Sequence, residues 1–200
     1  MTSTDQDTAR LREHTVAERE RLAGLLAGLT PEQWAAPSLC AGWRVREVVA
    51  HVTMAYRTST WQFLRGMIAA RFAFDRYADR AARADTARMS DPELLAALRD
   101  NIHHPWRPPG GGAAGALSHD VIHGLDVTEP LGLPAAPADR IATVLGNGGK
   151  RSFAYFGVDL GGVRLRAEDS DVVLGDGAPI TLSTKEILLI VTGRTAVPRN

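Results

Sequence analysis

The sequence predicts a mainly α-helical protein with a small strand-bearing region at its C-terminal end. Three observations lead to this fold class. Up to Tyr155, apolar residues recur at spacings of three and four, which is the period of amphipathic helices. Several helix starts carry Ser or Thr followed three residues later by Glu or Gln, the pattern of a capping box. Beyond Gly157, apolar residues alternate with polar ones, as they do in strands.

The composition is that of a folded globular chain. With 44% hydrophobic and 23% charged residues in 200 positions, we expect one domain, or one domain with a small appendage. Lys plus Arg equals Asp plus Glu at 23 each, so no overall field attracts nucleic acid or an anionic membrane. The longest aliphatic run, residues 187–191, is too short for a membrane span. A single cysteine, Cys40, fits a reducing compartment, and we expect a cytoplasmic protein.

Helices fill the predicted N-terminal half. The first long helix covers residues 5–29, and a short helix then opens at Thr30, where proline follows and Gln33 completes a capping box. Residues 37–42 form a turn. A second long helix, residues 43–67, carries several valines on one face, and tertiary packing can override their modest helix propensity.

The remaining elements follow from similar signals. A helical segment over residues 72–84 precedes a capping box at Ser90 to Glu93, which opens a helix through about Ile102. Proline and glycine then break the chain. The last predicted elements are helices over 113–128 and 139–155, a hairpin of 163–167 with 172–174, a third strand at 180–182, and a helix from Ser183 to about Thr192.

Two histidines in one predicted helix could bind a metal. His119 and His123 lie four residues apart, so their side chains project from the same face. On a helical wheel, the apolar stripe of Leu117, Val121 and Leu125 lies on the opposite side. The alternative is that both histidines belong to a solvated polar face.

A third ligand has more than one candidate. His51 lies beside the valine stripe of the second helix, where it is either a hydrogen-bonded core histidine or a third imidazole. Three neutral nitrogens and an open coordination position describe a catalytic-type zinc site. His103 and His104 compete for this place, although they sit beside proline in a predicted turn. Without paired cysteines, a closed structural zinc site is excluded.

Other polar residues also have two interpretations. Cys40 is a candidate nucleophile, but no histidine neighbours it in sequence, so we expect it to pack. Asp126, one turn beyond His123, either hydrogen-bonds a ligand imidazole or is solvated, and Asp120 is equally open.

One segment resembles a known family. Residues 37–51, PSLCAGWRVREVVAH, resemble the signature of the mycothiol-dependent maleylpyruvate isomerase family, within the DinB-like four-helix superfamily. The histidine segment 118–126, the late hairpin and residues 189–194 agree with it. The resemblance implies a DinB-like four-helix bundle over residues 1–156 with a metal at one end, followed by a small α+β domain over residues 157–200.

The resemblance also implies residue roles. His51, His119 and His123 match the three metal ligands, and the implied cation is zinc or nickel. The isomerase carries Glu at the position of His119, so an all-histidine site is one unit more positive. Arg194 matches a C-terminal Thr-Gly-Arg stretch, where a guanidinium could orient a carboxylate of substrate or cofactor. Alternatively, Arg194 pairs with carbonyls at its helix end.

The implied activity is that of a metal-dependent thiol transferase or isomerase. Its partners would be mycothiol or a similar small thiol and a small electrophilic substrate, with no nucleic acid or membrane, in a monomer or homodimer. One alternative is a non-catalytic metal-binding protein with a stress-related or regulatory role. Another is a bundle with structural histidines that binds an apolar ligand or a partner subunit. Trp43 and Trp61 either line the pocket or pack in the core.

Overall fold

A computed structural model describes residues 3–198, with side chains described for residues 4–148 and 155–198. Helices dominate, and a three-stranded sheet follows near the C-terminal end. The helices are α1 (Ser3–Ala27), α2 (Pro31–Trp34), α3 (Val45–Arg57), α4 (Thr60–Ala69), α5 (Phe74–Thr86), α6 (Asp91–Arg99), α7 (Gly112–Thr128), α8 (Ala138–Ala154) and α9 (Thr184–Val191). The strands are β1 (Val163–Ala167), β2 (Val173–Gly175) and β3 (Ala178–Leu182). The predicted fold class is therefore confirmed.

Four of the helices form a bundle. Helix α1 packs against α7 and α6, and α3 packs against the same two helices, so the four close into a ring. Apolar side chains with at most 2% exposure fill the space between them, among them Leu22, Leu26, Val45, Val48, Val49, Val52, Leu94 and Leu98. Helix α5 covers the outer side of α3. The valine face predicted for the second helix is therefore the core face of α3.

The predicted second long helix is wrong in its length. The chain leaves the helix at Thr58, which has an extended conformation, and α4 starts afresh after Ser59. Ser59 accepts the backbone N–H of Gln62, and the Gln62 side chain accepts the N–H of Ser59. This capping box satisfies the backbone at a new helix start, so the break has a local cause.

The other capping boxes are found where the sequence predicts them. Thr30, Ser90 and Ser183 each begin a helix with the reciprocal pair in place. The predicted ends of the helices are less accurate than their starts. For example, α6 ends at Arg99 rather than near Ile102. Among residues 3–198, no helix combines the length and the apolar character that crossing a bilayer requires.

The sheet packs against α7, which is the last of the four bundle helices, and against α8 and α9, which follow it. Its order is β2-β1-β3, with β1 antiparallel to β2, as in the predicted hairpin, and parallel to β3. Leu165 of β1 is fully buried in one core with residues of α7, α8 and α9. The turn into β3 requires glycine at Gly177, where φ is +126° and a Cβ would clash with the Gly162 carbonyl oxygen. The division at residue 156 into two domains stays a prediction.

Candidate metal centre

Helix α7 presents two histidines beside its buried stripe. Leu117, Val121 and Leu125 are at most 1% exposed, which confirms the predicted core face. The side chains of His119 and His123 are only 15% and 17% exposed, so they are not on a solvated face. Their rings lie against His51 of α3.

His51 of α3 meets this pair. Its ring centroid lies 5.3 Å from that of His119 and 4.8 Å from that of His123, and the pair itself is 4.9 Å apart. One ring nitrogen from each histidine lies within 4.8 Å of the other two. We call His51, His119 and His123 the histidine cluster. It joins residues from two bundle helices that are far apart in sequence.

Two carboxylates set the orientation of two of these rings. His119 Nδ1 lies 2.9 Å from Asp120 Oδ1, and His123 Nδ1 lies 2.9 Å from Asp126 Oδ2. A carboxylate only accepts hydrogen bonds, so each Nδ1 carries a proton, and in the neutral ring Nε2 then keeps its lone pair. Partners of this kind commonly orient metal-binding histidines. The sequence left Asp120 and Asp126 open between this role and solvation, and both are at most 1% exposed.

Each carboxylate is in turn held by an arginine. Asp120 accepts from Arg19 Nε at 2.6 Å. Asp126 accepts from Arg194 Nε and Nη2, both at 2.9 Å. The positive guanidinium compensates the negative carboxylate in each pair, and such pairing is what makes a buried charge tolerable.

Arg194 therefore has a carboxylate partner inside the protein. The sequence left two kinds of partner open for the Arg194 guanidinium: a carboxylate of substrate or cofactor, or backbone carbonyls at the helix end. Arg194 Nη1 does donate to the Thr192 carbonyl at 2.9 Å, while Asp126 takes the other two donors. A direct role of Arg194 toward a substrate stays a prediction, and its contact with Asp126 was missed.

Burial shapes the protonation of the site. It holds the pKa of His51 well below the usual 6.5, and the neighbouring His123 and His119 add to this. Burial likewise lowers the pKa of His123, although its hydrogen bond to Asp126 acts in the opposite direction. Burial alone would raise the pKa of Asp126, but hydrogen bonds from His123 and Arg194 keep it well below its usual value. At neutral pH, His51 and His123 are thus neutral and Asp126 is ionised.

The histidine cluster fits a divalent cation such as zinc. Neutral imidazole is a common zinc ligand, and the Nε2 atoms of His119 and His123 are available. His51 Nδ1 is buried and has no hydrogen-bond partner among residues 4–148 and 155–198, so this ring has one nitrogen without a partner. Nitrogens on one tetrahedral zinc lie about 3.4 Å apart, so nitrogens up to 4.8 Å apart would have to move closer together to share one ion.

Cys40 lies at the edge of the cluster. Its Sγ donates to Asp126 Oδ2 at 3.0 Å and lies 3.9 Å from His123 Nδ1. Burial, followed by the charge of Asp126, raises the pKa of the Cys40 thiol. A protonated thiol is a poor nucleophile, which agrees with the packing role expected from the sequence.

Of the remaining candidates, one tryptophan lies at the histidine cluster, and the others lie away from it. Trp43 packs on His51 with ring centroids 5.3 Å apart, whereas Trp61 is 66% exposed on α4. His103 is exposed. His104 accepts the backbone N–H of Trp106 on its Nδ1, so neither of these two histidines joins the cluster.

Two site residues were missed by sequence reasoning. Trp106 lies with its ring centroid 5.0 Å from that of His119, and Arg19 reaches Asp120 from α1. Arg19 is one of several charged residues on α1, and nothing in its local sequence sets it apart. Only the packing of α1 against α7 identifies it.

The two described cavities lie away from the histidine cluster. One of about 200 Å³ is lined by residues including Arg57, Tyr77 and Asp85. The other, of about 390 Å³, lies beside Arg164 and Arg166 on β1. Neither is lined by a residue of the histidine cluster.

Comparison with known proteins agrees with the resemblance found in the sequence. Residues 15–107 match the family model described as the mycothiol maleylpyruvate isomerase N-terminal domain. This segment contains His51 and Arg19, and it ends before His119 and His123. No curated protein and no solved structure matches the chain.

Proposed function

Because residues 15–107 match the family model of the mycothiol maleylpyruvate isomerase N-terminal domain, we propose that this protein is a metal-dependent thiol transferase or isomerase. It would use mycothiol or a similar low-molecular-weight thiol on a small electrophilic substrate. His51, His119 and His123 are the proposed ligands of a divalent cation such as zinc, with nickel as the other candidate.

The convergence of three imidazoles carries this proposal. Two of them have their Nδ1 atoms on carboxylates, and the third has a buried nitrogen without a partner. A purely structural histidine at 7% exposure would ordinarily have its buried polar atoms hydrogen-bonded. A shared cation would give the two oriented Nε2 atoms and the neighbouring His51 ring a common role.

The charge distribution favours an anionic ligand at the cation. Asp120 and Asp126 are each offset by an arginine, and His51 and His123 are neutral, so the protein supplies little net negative charge there. A divalent cation in this site would stabilise the thiolate form of a small thiol and polarise a substrate carbonyl. Three protein ligands would leave a coordination position for this purpose.

The chain's own residues would hold and enclose the reactants. Asp126 fixes the tautomer of His123, and Arg194 keeps Asp126 ionised. Trp43 and Trp106 flank the cluster on the His51 and His119 sides, where their rings would exclude water. Cys40 stays protonated, so the nucleophilic sulfur must come from the small thiol.

One set of proteins tests the proposal. Wild type, His51→Ala, His119→Ala and His123→Ala are compared with His103→Ala, which removes an exposed histidine outside the cluster. We expect about one metal per chain in wild type and in His103→Ala by elemental analysis, and a large loss in the three cluster variants. Thiol conjugation to model electrophiles is expected to follow the metal content.

Two results would change the conclusion. Full metal in both His119→Ala and His123→Ala would refute the ligand assignment. Stoichiometric metal without conjugation of any small thiol would instead favour the non-catalytic metal-binding protein.

A further inference from the structure

Arg19 contacts all three of the other bundle helices or their immediate extensions. It lies on α1 and is 2% exposed. Its guanidinium lies 5.1 Å from the ring centroid of Tyr56 on α3, donates to Asp120 on α7, and donates to carbonyls just beyond α6. These contacts join α1 to the other three bundle helices beside the histidine cluster, although the buried Arg19 Nη2 has no hydrogen-bond partner among residues 4–148 and 155–198.

The first connection to the cluster runs through Asp120. Arg19 Nε donates to Asp120 Oδ2, and the other oxygen of the same carboxylate faces His119 Nδ1 at 2.9 Å. With one oxygen held by Arg19, the carboxylate plane is fixed and Oδ1 keeps its position toward the ring. Arg19 therefore acts on the orientation of His119 without touching it.

The second connection runs through the segment after α6. Arg19 Nη1 donates to the carbonyls of Ile102 and His104, at 3.1 and 2.7 Å. The His104 ring in turn accepts the backbone N–H of Trp106. Trp106 packs edge-on against His119, with ring centroids 5.0 Å apart. Arg19 thus reaches His119 by two routes, through Asp120 and through the segment that carries Trp106.

The planar fork of arginine suits this task. Nε and Nη1 donate in different directions at the same time, whereas a lysine ammonium is a point charge on a flexible stem. Lysine would keep the charge but could not hold the carboxylate and both carbonyls in one geometry. Arg19→Lys therefore keeps the positive charge while it removes the hydrogen-bond geometry, so its effect reports on the geometry alone.

We propose that Arg19 is a positioning residue of the histidine site, orienting His119 through Asp120 and setting Trp106 through the 102–106 segment. This inference rests on the proposed metal function. Since outer partners of metal-binding histidines typically change affinity about 10- to 100-fold, Arg19→Lys should weaken metal binding while all three ligands remain.

The experiment measures the zinc dissociation constant against a chromophoric chelator, together with the visible spectrum of the Co²⁺-loaded protein. Arg19→Lys and Asp120→Asn are each expected to raise the dissociation constant about tenfold and to shift the Co²⁺ bands. The double variant should be hardly weaker than Arg19→Lys alone, because Asp120 lies on a chain of contacts that begins at Arg19.

Arg140→Lys is the matched control. Arg140 pairs with Glu18 at 2.7 Å in another largely buried ion pair that reaches α1, yet it does not contact the cluster or Asp120. A structural effect of losing a buried arginine would appear in this control as lower stability. The zinc dissociation constant and the Co²⁺ spectrum of Arg140→Lys should match wild type.

The outcomes separate the two proposals. If wild type binds no zinc, the proposed function and this inference both fail. If wild type binds zinc and Arg19→Lys has the affinity and spectrum of Arg140→Lys, only the inference fails. Should Arg19→Lys not fold, the near-isosteric Asp120→Asn decides, and an unchanged affinity and spectrum in that variant would overturn the inference.

Discussion

At the scale of single residues, Asp126 is the most connected carboxylate of the site. Its two oxygens accept from Cys40, His123 and Arg194, and it is 0% exposed. Each contact supports the others, because the guanidinium keeps the carboxylate ionised and the carboxylate keeps the imidazole tautomer. Removing the charge should therefore disturb stability and the site together.

Asp126→Asn tests this arrangement. The variant leaves Arg194, which is 13% exposed, without its counter-charge, and breaking a buried pair in this way costs about 3 kcal/mol. We expect the free energy of unfolding from urea titration to fall by about that amount. Asp100→Asn, at a 71% exposed position, should change it by less than about 0.5 kcal/mol. Equal effects of the two substitutions would contradict the role assigned to Asp126.

At the scale of elements, the start of α3 decides where His51 lies. Arg44 precedes the helix, and the Glu47 side chain accepts its backbone N–H at 2.9 Å. Glu47 also accepts from Thr86 Oγ1 at 2.9 Å, which joins the beginning of α3 to the last residue of α5. Glu47 and Thr86 are 2% and 8% exposed, so their contact is shielded from water, whereas Arg44 is half exposed.

This carboxylate gives the protein a specific pH dependence. Burial alone would raise the pKa of Glu47, but hydrogen bonds from Arg44 and Thr86 lower it below 4.5. A carboxyl group with a lowered pKa in the folded state stabilises that state above its unfolded pKa, and this contribution is lost as the pH falls. We expect Glu47→Gln to lose about 2 kcal/mol at pH 7.

The difference between wild type and Glu47→Gln should shrink as the pH falls below about 4.5. Urea unfolding of both proteins at pH 7 and at about pH 3.5 measures this difference in the free energy of unfolding. An identical difference at both pH values would show that the ionised carboxylate is not the stabilising form.

At the scale of the whole molecule, metal binding and folding are expected to be coupled. The histidine cluster takes ligands from α3 and α7, and their rings converge only when the bundle closes. A ligand that binds only the folded state stabilises it by about 2.7 kcal/mol when its free concentration is 100 times its dissociation constant. Zinc should therefore raise the free energy of unfolding by about this amount, and a chelator should reverse the effect.

The comparison is made within each variant, so that the cost of the substitution itself cancels. In His51→Ala, zinc should give little or no stabilisation in urea unfolding. Stabilisation of the same size in wild type and His51→Ala would mean that the cation binds outside the histidine cluster.

The α3–α4 break shows that a local signal can be present and still be missed. Ser59 and Gln62 form the same kind of capping box as Thr30 with Gln33. The apolar pattern continues across Thr58, and this continuity hid the helix start. The prediction gave the continuous apolar pattern more weight than the capping box. The break itself is encoded by neighbouring residues.

The sequence by itself determined the helices, the hairpin and the spacing of His119 and His123, because these depend on residues within a few positions of one another. The family resemblance pointed to His51, but only the tertiary structure brings its ring to the pair and leaves His103 and His104 outside. Only the tertiary structure, too, shows that Arg19 reaches Asp120 across 101 positions. Such contacts depend on which helices pack together and in what register. Burial then gives the cluster its neutral imidazoles and paired carboxylates, since buried charges persist only with partners.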